Sequence, residues 1–260
     1  MLEGENLNME SFIGWVGGKK RLRKEIIKRF PKNYKKYVEV CGGAGWVLFA
    51  KEHNTKELEV FNDIDSQLIN LYRCIQRHPE ALIKELKDIL SAREIFYDFK
   101  EQINCRGLTD IQRAARYFYL IKCSFGSMKD DFATRTRMIT NTLERFVGIQ
   151  ERLKRVVIEN RDFEELIKLY DSPETLFYID PPYFKTERYY KNEKLFLEED
   201  HYRLNNIVST SDGEFIISYN DCEFIRDLYQ DYNIESINRT ASLSAKTNSE
   251  IFKEVIITNY

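Results

Sequence analysis

Residues 35–53 read KKYVEVCGGAGWVLFAKEH. A short apolar run, Tyr37 to Cys41, enters the Gly-rich turn Gly42-Gly43-Ala44-Gly45, and an apolar stretch able to start a helix follows. Strand, glycine turn and helix in that order suit a βαβ nucleotide unit, because glycine tolerates positive φ and lets a ligand approach the backbone. A second short strand is expected at Leu58 to Phe61. It ends in Asn62-Asp63-Ile64-Asp65 and leads into a helical pattern through Leu68, Leu71, Tyr72 and Ile75. Asp63 stands 24 residues beyond Glu39, close to the roughly 20 that separate such a turn from a ribose-binding acid. The first 70 residues thus read as half of a doubly wound sheet.

Further along, the character changes. Residues 71 to 155 show helical periodicity (ALIKELKDIL, IQRAARYFYLIKCSF) and a polar stretch from Gly126 to Thr142, with no parallel-sheet strand. Strand-like runs return at Val156 to Glu159, Leu176 to Asp180, Phe215 to Tyr219, Asn233 to Ile237 and Val255 to Thr258. The expectation is an α/β fold in which residues 1–70 and 156–260 form a Rossmann-like doubly wound domain. Residues 71–155 are then a mostly helical insertion.

Composition removes other classes. At 260 residues, 43% hydrophobic and 32% charged, the chain can bury a full core and is not a disordered polymer. No apolar run approaches the ~18 to 20 residues of a membrane helix, and the acidic start MLEGENLNME is unlike a signal peptide, so a cytoplasmic protein is expected. Five scattered cysteines without a CxxC pair and three histidines without HExxH signal neither disulfides nor a metal site. The net charge of -2 conceals a layout of -3 over residues 1–10, +9 over 11–36, -4 over 37–111, +6 over 112–155 and -10 over 156–260. A near-neutral total therefore leaves room for a polyanionic partner bound to one face.

Three further stretches carry chemistry. Tyr178-Ile179-Asp180-Pro181-Pro182-Tyr183-Phe184 closes an expected strand, where open α/β sheets place ligands. Two prolines make it a rigid presenting loop. The Asp180 carboxylate and Pro181 carbonyl can accept both protons of a planar exocyclic amine, and Tyr183 offers a ring for stacking a base. Asp63 suits two ribose hydroxyls, although Asp63 or Asp65 could equally cap a helix. Phe12-Ile13-Gly14-Trp15-Val16-Gly17-Gly18-Lys19-Lys20 is no Walker A loop, since Ile13 and Lys20 stand where Gly and Ser or Thr are needed. It can present Trp15 and Lys19 to a small molecule.

Taken together and in this order, these motifs resemble the Dam-like (alpha-group) DNA adenine-N6 methyltransferases, a class I S-adenosylmethionine-dependent family. Its FxxWxGGK pattern is met by Phe12, Trp15, Gly17, Gly18 and Lys19, and its VExFxGxG by Val38, Glu39, Gly43 and Gly45, with Cys41 in place of the usual Phe. Asp63 matches the acid after the second strand, Asp162, Phe163 and Leu166 match DFxxL, and Asp180 to Tyr183 match the catalytic DPPY. The ending EVIITNY looks like the family's last strand. The resemblance covers residues 11–75 and 156–260.

It implies methyl transfer from S-adenosyl-L-methionine to N6 of an adenine flipped out of duplex DNA at a specific site. Asp180, Pro181, Pro182 and Tyr183 would be catalytic. Trp15, Lys19, Glu39, Gly43, Gly45, Asp63, Asp162, Phe163 and Asp180 would hold the cofactor, Lys19 facing its carboxylate and Asp162 and Phe163 its adenine. No metal is implied. The insertion would recognise the DNA target, with Lys122, Lys129, Arg135, Arg137 and Arg145 as candidate contacts to phosphates or guanine. Partners would be double-stranded DNA and either a restriction endonuclease or none, as in restriction-modification or an orphan setting. The rival readings are an N4-cytosine DNA methyltransferase, against which Asp180 in place of Ser argues, and a catalytically decayed DNA-binding protein.

Overall fold

A computed structural model describes residues 9–133, 139–185, 196–238 and 253–260. In chain order the elements are α1 (Arg23–Ile27), β1 (Lys36–Glu39), α2 (Trp46–Ala50), β2 (Leu58–Asn62), α3 (Ser66–Arg77), α4 (Pro79–Leu86), α5 (Arg93–Gln102) and α6 (Asp110–Cys123). There follow α7 (Thr140–Leu143), α8 (Phe146–Leu153), β3 (Val156–Glu159), α9 (Phe163–Tyr170), β4 (Thr175–Ile179), α10 (Glu198–Ser209), β5 (Glu214–Asn220), α11 (Glu223–Leu228), β6 (Asn233–Asn238) and β7 (Lys253–Thr258). Among the described residues, no helix is long and apolar enough to cross a membrane.

All seven expected strands form, and they join in one sheet of order β3-β2-β1-β4-β5-β7-β6. Strands β1 to β5 run parallel, while β7 is antiparallel to both β5 and β6. This is the mixed, doubly wound sheet that the resemblance implies. β1 lies between β2 and β4, pairing Val38 with Val60 on one side and with Phe177 on the other. The winding reverses there, which opens a crevice at the carboxyl ends of the strands.

Side-chain alternation divides the core between the two faces of the sheet. Tyr37, Phe61, Tyr178 and Ile216 point to one side and share a core with Leu71 of α3, Leu82 of α4, Phe118 of α6 and Phe146 of α8. Val38, Val60, Phe177 and Ile217 point to the other, against Leu166 of α9, Leu204 of α10 and Ile225 of α11. Helix starts follow local capping. Asp65 accepts the Gln67 and Leu68 amides at the head of α3, and Thr109 and Gln112 form a capping box on α6.

The segment from 71 to 155 is helical as expected, with a Ser124–Phe132 bridge as its β pairing among the described residues. α3 runs unbroken through positions 70 and 71, and the helices α4 to α8 pack on the sheet through the shared core. A buried ionic cluster adds to this join. Arg152 of α8 donates to both carboxylate oxygens of Glu59 on β2 at 2.6 and 2.8 Å, and to the Leu48 carbonyl at 2.8 Å. Lys51 stands 3.2 Å from the same carboxylate, which is 1% exposed. Removing one member of a buried pair leaves a desolvated charge behind. Arg152→Ala should therefore lower unfolding stability by roughly 3 kcal/mol in urea titrations; a loss under about 1 kcal/mol would show that the pair contributes little.

Candidate active site

Four strand ends each deliver a carboxylate to one cavity of about 320 Å³. Glu39 ends β1, Asp63 follows β2, Asp162 follows β3 and Asp180 follows β4, and all four line its wall. Trp15, Lys19, Gly43 and Phe163 line it too, so motifs spread over 165 residues of sequence meet at the reversal point of the sheet. Gly45, Pro181 and Tyr183 lie outside that lining, whereas Pro182 lies in it.

Each acid is held by its surroundings. The Glu39 carboxylate accepts the Tyr37 hydroxyl at 2.7 Å and the Leu48 amide at 2.9 Å. Burial pushes its carboxyl up to about 8 against those two bonds. Asp63 accepts the Gly43 amide at 2.8 Å and the Asp65 amide at 2.9 Å. Burial, with help from the neighbouring Asp65 charge, raises it to about 6. The helix cap is Asp65, so Asp63 is the acid turned to the cavity. Asp162 caps α9 through the Glu164 amide and accepts Arg203 at 2.9 Å.

Cys41 lies among these groups in the cavity wall. Burial pushes its thiol well up, and the charges of Asp63, Asp180, Asp162 and Glu39 push it further the same way. A wall richer in acids than in bases favours a cationic ligand. Lys19, Arg161 and Arg203, the cations in the lining, are each matched by carboxylates.

Glycine serves the turn in two ways. Gly45 adopts φ 65° at the head of α2, and its amide donates to the Gly42 carbonyl at 2.8 Å, closing the turn that aims the helix. Gly43 has φ 51°, and a β-carbon there would stand 2.6 Å from Cδ1 of Trp15. The bare backbone of Gly43 is thus what admits the indole to the cavity wall.

The proline motif is pinned from two directions. Lys19, 3% exposed, places Nζ 2.6 Å from Oδ1 of Asp180 and donates to the Gly17 carbonyl at 3.0 Å. Ser218 of β5 donates to the same Oδ1 at 2.8 Å. Burial raises the Asp180 carboxyl, and Lys19 works against that rise. Tyr183 turns its hydroxyl to Glu254 of β7 at 2.6 Å, with the Lys19 ammonium 4.7 Å from its ring centre.

The basic residues divide. Lys129 sits 4.9 Å from the Trp15 ring, bonds the Tyr117 hydroxyl at 2.8 Å and stands 3.6 Å from Asp65, beside the cavity. Lys122 bonds the Thr142 hydroxyl at 2.8 Å. Arg145 donates to the Glu10 carbonyl, and the Glu10 carboxylate receives Lys20 at 2.8 Å and Arg23 at 3.9 Å. Groups from both basic blocks therefore gather around Glu10, with Lys20 and Arg23 over the ring of Trp46 in the cavity wall. Lys35, from the far end of the first block, pairs with Glu174 just before β4, at the amino ends of the central strands and so at the opposite end of the sheet from the cavity. Arg135 and Arg137 lie outside the described residues.

Several residues at the site have no motif to announce them. Arg203 of α10 binds Asp162, Glu164 and Asp200 and lies 4.7 Å from the Phe163 ring centre, while Phe196 packs on that ring at 5.7 Å. Asn62 donates to the Val40 and Arg161 carbonyls and receives the Arg161 amide, tying the ends of β1 and β2 to the turn after β3. Trp46 could have been found as the residue directly after the glycine turn. Arg203, Ser218 and Glu254 could not, since their partners lie 41, 38 and 71 residues away in sequence.

The chain is similar in sequence to several known proteins. The chain is 28% identical over its whole length to the type II methyltransferase M1.LlaDCHI of Lactococcus lactis subsp. cremoris, of which 99% is covered. It is 25% identical over 98% of its length to the type II methyltransferase M.MjaIII of Methanocaldococcus jannaschii, covering 100% of that protein. A DNA adenine methylase of Haemophilus influenzae is 24% identical over 96% of this chain and 93% of its own. The model of the D12 class N6 adenine-specific DNA methyltransferases matches residues 15–243. With its strand order, its clustered motifs and that match over most of its length, the chain belongs to the D12 class of N6 adenine-specific DNA methyltransferases.

Proposed function

We propose that the cavity holds S-adenosyl-L-methionine and that the Asp180–Tyr183 loop presents the N6 amine of a flipped-out adenine to it. The observation that supports this most is the convergence of Trp15, Lys19, Glu39, Gly43, Asp63, Asp162, Phe163 and Asp180 on one cavity whose lining holds more acidic than basic side chains. When bound, the cofactor supplies an electrophilic methyl group on a positively charged sulfur. The residues present fit it. Four carboxylates suit its cationic groups and ribose hydroxyls, and Trp15, Phe163 and Phe196 supply apolar walls. Lys19 would face its carboxylate and divide its charge between that group and Asp180.

Asp180 and the Pro181 carbonyl would accept hydrogen bonds from the two N6–H groups. That draws the nitrogen lone pair out of conjugation with the ring and makes it the nucleophile. Lys19 and Ser218 both engage Oδ1, which fixes the carboxylate for this task. Adenine N6 is paired inside a duplex, so the base must leave the stack, and Tyr183 would receive it. Gly45 shapes the turn, and Pro182 stiffens the loop behind Asp180.

The DNA face is proposed to surround the cavity mouth, drawing on Lys122, Lys129, Arg145 and the cluster at Glu10, with Arg135 and Arg137 from the recognition segment. The relatives' names include both type II methyltransferases and DNA adenine methylases. Modification-sensitive sequencing of DNA from cells expressing the protein reports base and site together.

Purified protein should move labelled methyl groups from S-adenosylmethionine to N6 of adenine in duplex DNA, and Asp180→Ala should reduce transfer at least about a thousandfold while the fold stays intact. Label in N4-methylcytosine, or substantial turnover by the variant, would overturn the reading. Cofactor affinity should rise with pH from about 6 to about 8, because Asp63 and then Glu39 are neutral below those values and attract a cation once ionised. Glu39→Gln should flatten the upper part of that rise in calorimetric titrations; an unchanged profile would remove Glu39 from the ligand's surroundings. Lys20→Ala should weaken DNA binding evenly across sequences and reduce the slope of log affinity against log salt by about 1, which fluorescence anisotropy checks.

A further inference from the structure

We infer that Glu254 is a positioning residue for methyl transfer, which aims the Tyr183 ring and shares the Lys19 ammonium with Asp180; this rests on the motif reading proposed above. β7 carries Val255, Ile256 and Ile257 as buried apolar residues, and Glu254 beside them is itself only 2% exposed. A carboxylate so placed costs stability unless it is paired and hydrogen-bonded. Its Oε2 accepts the Tyr183 hydroxyl at 2.6 Å and lies 3.9 Å from Nζ of Lys19. That same ammonium is 2.6 Å from Asp180 and 4.7 Å from the centre of the Tyr183 ring.

One cation thus joins two carboxylates and a ring, and the first and last residues of the motif are braced by neighbouring strands. Ser218 of β5 fixes Asp180, and Glu254 of β7 fixes Tyr183; in the ladder between those strands Ser218 faces Ile256 and Asn220 faces Glu254. Without the bond at its hydroxyl, the Tyr183 ring can turn about its side-chain torsions and would hold an extruded base less firmly. The loss should fall on the chemical step and on base extrusion, and not on cofactor binding.

The test uses the full chain and two duplexes containing the methylation site mapped by sequencing, one with adenine at the target position for single-turnover rates and one with 2-aminopurine there, which has no N6 amine and reports only extrusion, by its fluorescence. Tyr183→Phe and Glu254→Ala should each slow single-turnover methylation about ten- to hundredfold, dim the 2-aminopurine signal, and leave S-adenosylhomocysteine affinity within about twofold of the parent. The double variant should be no slower than Glu254→Ala alone, since Tyr183→Phe deletes only the hydroxyl bond that Glu254→Ala has already removed. Glu254→Gln keeps a carbonyl acceptor for the hydroxyl and should recover rate and fluorescence to within about threefold. Glu254→Ala at the parental rate, multiplicative effects in the double variant, or no rescue by Gln would overturn the inference. If Glu254→Ala fails to fold, Tyr183→Phe decides alone, and parental rate and fluorescence in that variant overturn it. An unsubstituted protein that methylates no adenine would instead overturn the motif reading beneath it.

Discussion

β1 pairs with β2 on one side and β4 on the other, so the connections that follow β1 and β4 leave the sheet in opposite directions. Everything at the site depends on that reversal. Two helices moving apart leave the carboxyl ends of the central strands uncovered, and the chain segments emerging there face a common space. Glu39, Asp63, Asp162 and Asp180 are single residues at successive strand ends, and only the parallel ladder brings them to one level. The antiparallel β7 then supplies Glu254 from the other direction, behind the motif that β4 presents.

Such a site is costly to build. Burial raises the carboxyls of Glu39, Asp63 and Asp180, which means that the folded chain holds acids where their ionised forms are disfavoured. The structure offsets this piecemeal, with backbone amides for Asp63, a tyrosine hydroxyl for Glu39, and Lys19 and Ser218 for Asp180. The offset is incomplete, and the remaining negative field is what a cationic ligand would relieve. By contrast, Glu59, equally buried but far from the cavity, is matched by Arg152 and Lys51 and is lowered below its usual range, as a purely architectural pair should be.

The same residue types therefore play different parts according to where the fold carries them. Arg152 and Arg145 belong to one basic stretch of sequence, yet Arg152 is an internal brace and Arg145 joins the Glu10 cluster beside Trp46. Lys19 and Lys35 belong to the other, and they lie at opposite ends of the central strands. Charge counting along the chain identifies basic blocks but cannot sort them, because helices and connections redistribute neighbours over distances of a whole domain.

By itself the sequence determined the elements and the motifs. Seven strand-like runs became seven strands, most of them short and rich in β-branched or aromatic residues, with β6 instead mainly polar. The glycine turn, the acid after β2 and the two prolines were legible because each imposes a local backbone demand. Tertiary structure alone decided that Asp65 caps α3 while Asp63 faces the cavity, that Gly43 is bare to admit Trp15, and that Arg203, Ser218 and Glu254 support the site. The physical reason is the range of the interactions. Turns and caps act over a few residues and leave a pattern in the chain, whereas a hydrogen bond between Tyr183 and Glu254 spans 71 residues and exists only once strand order has set them side by side.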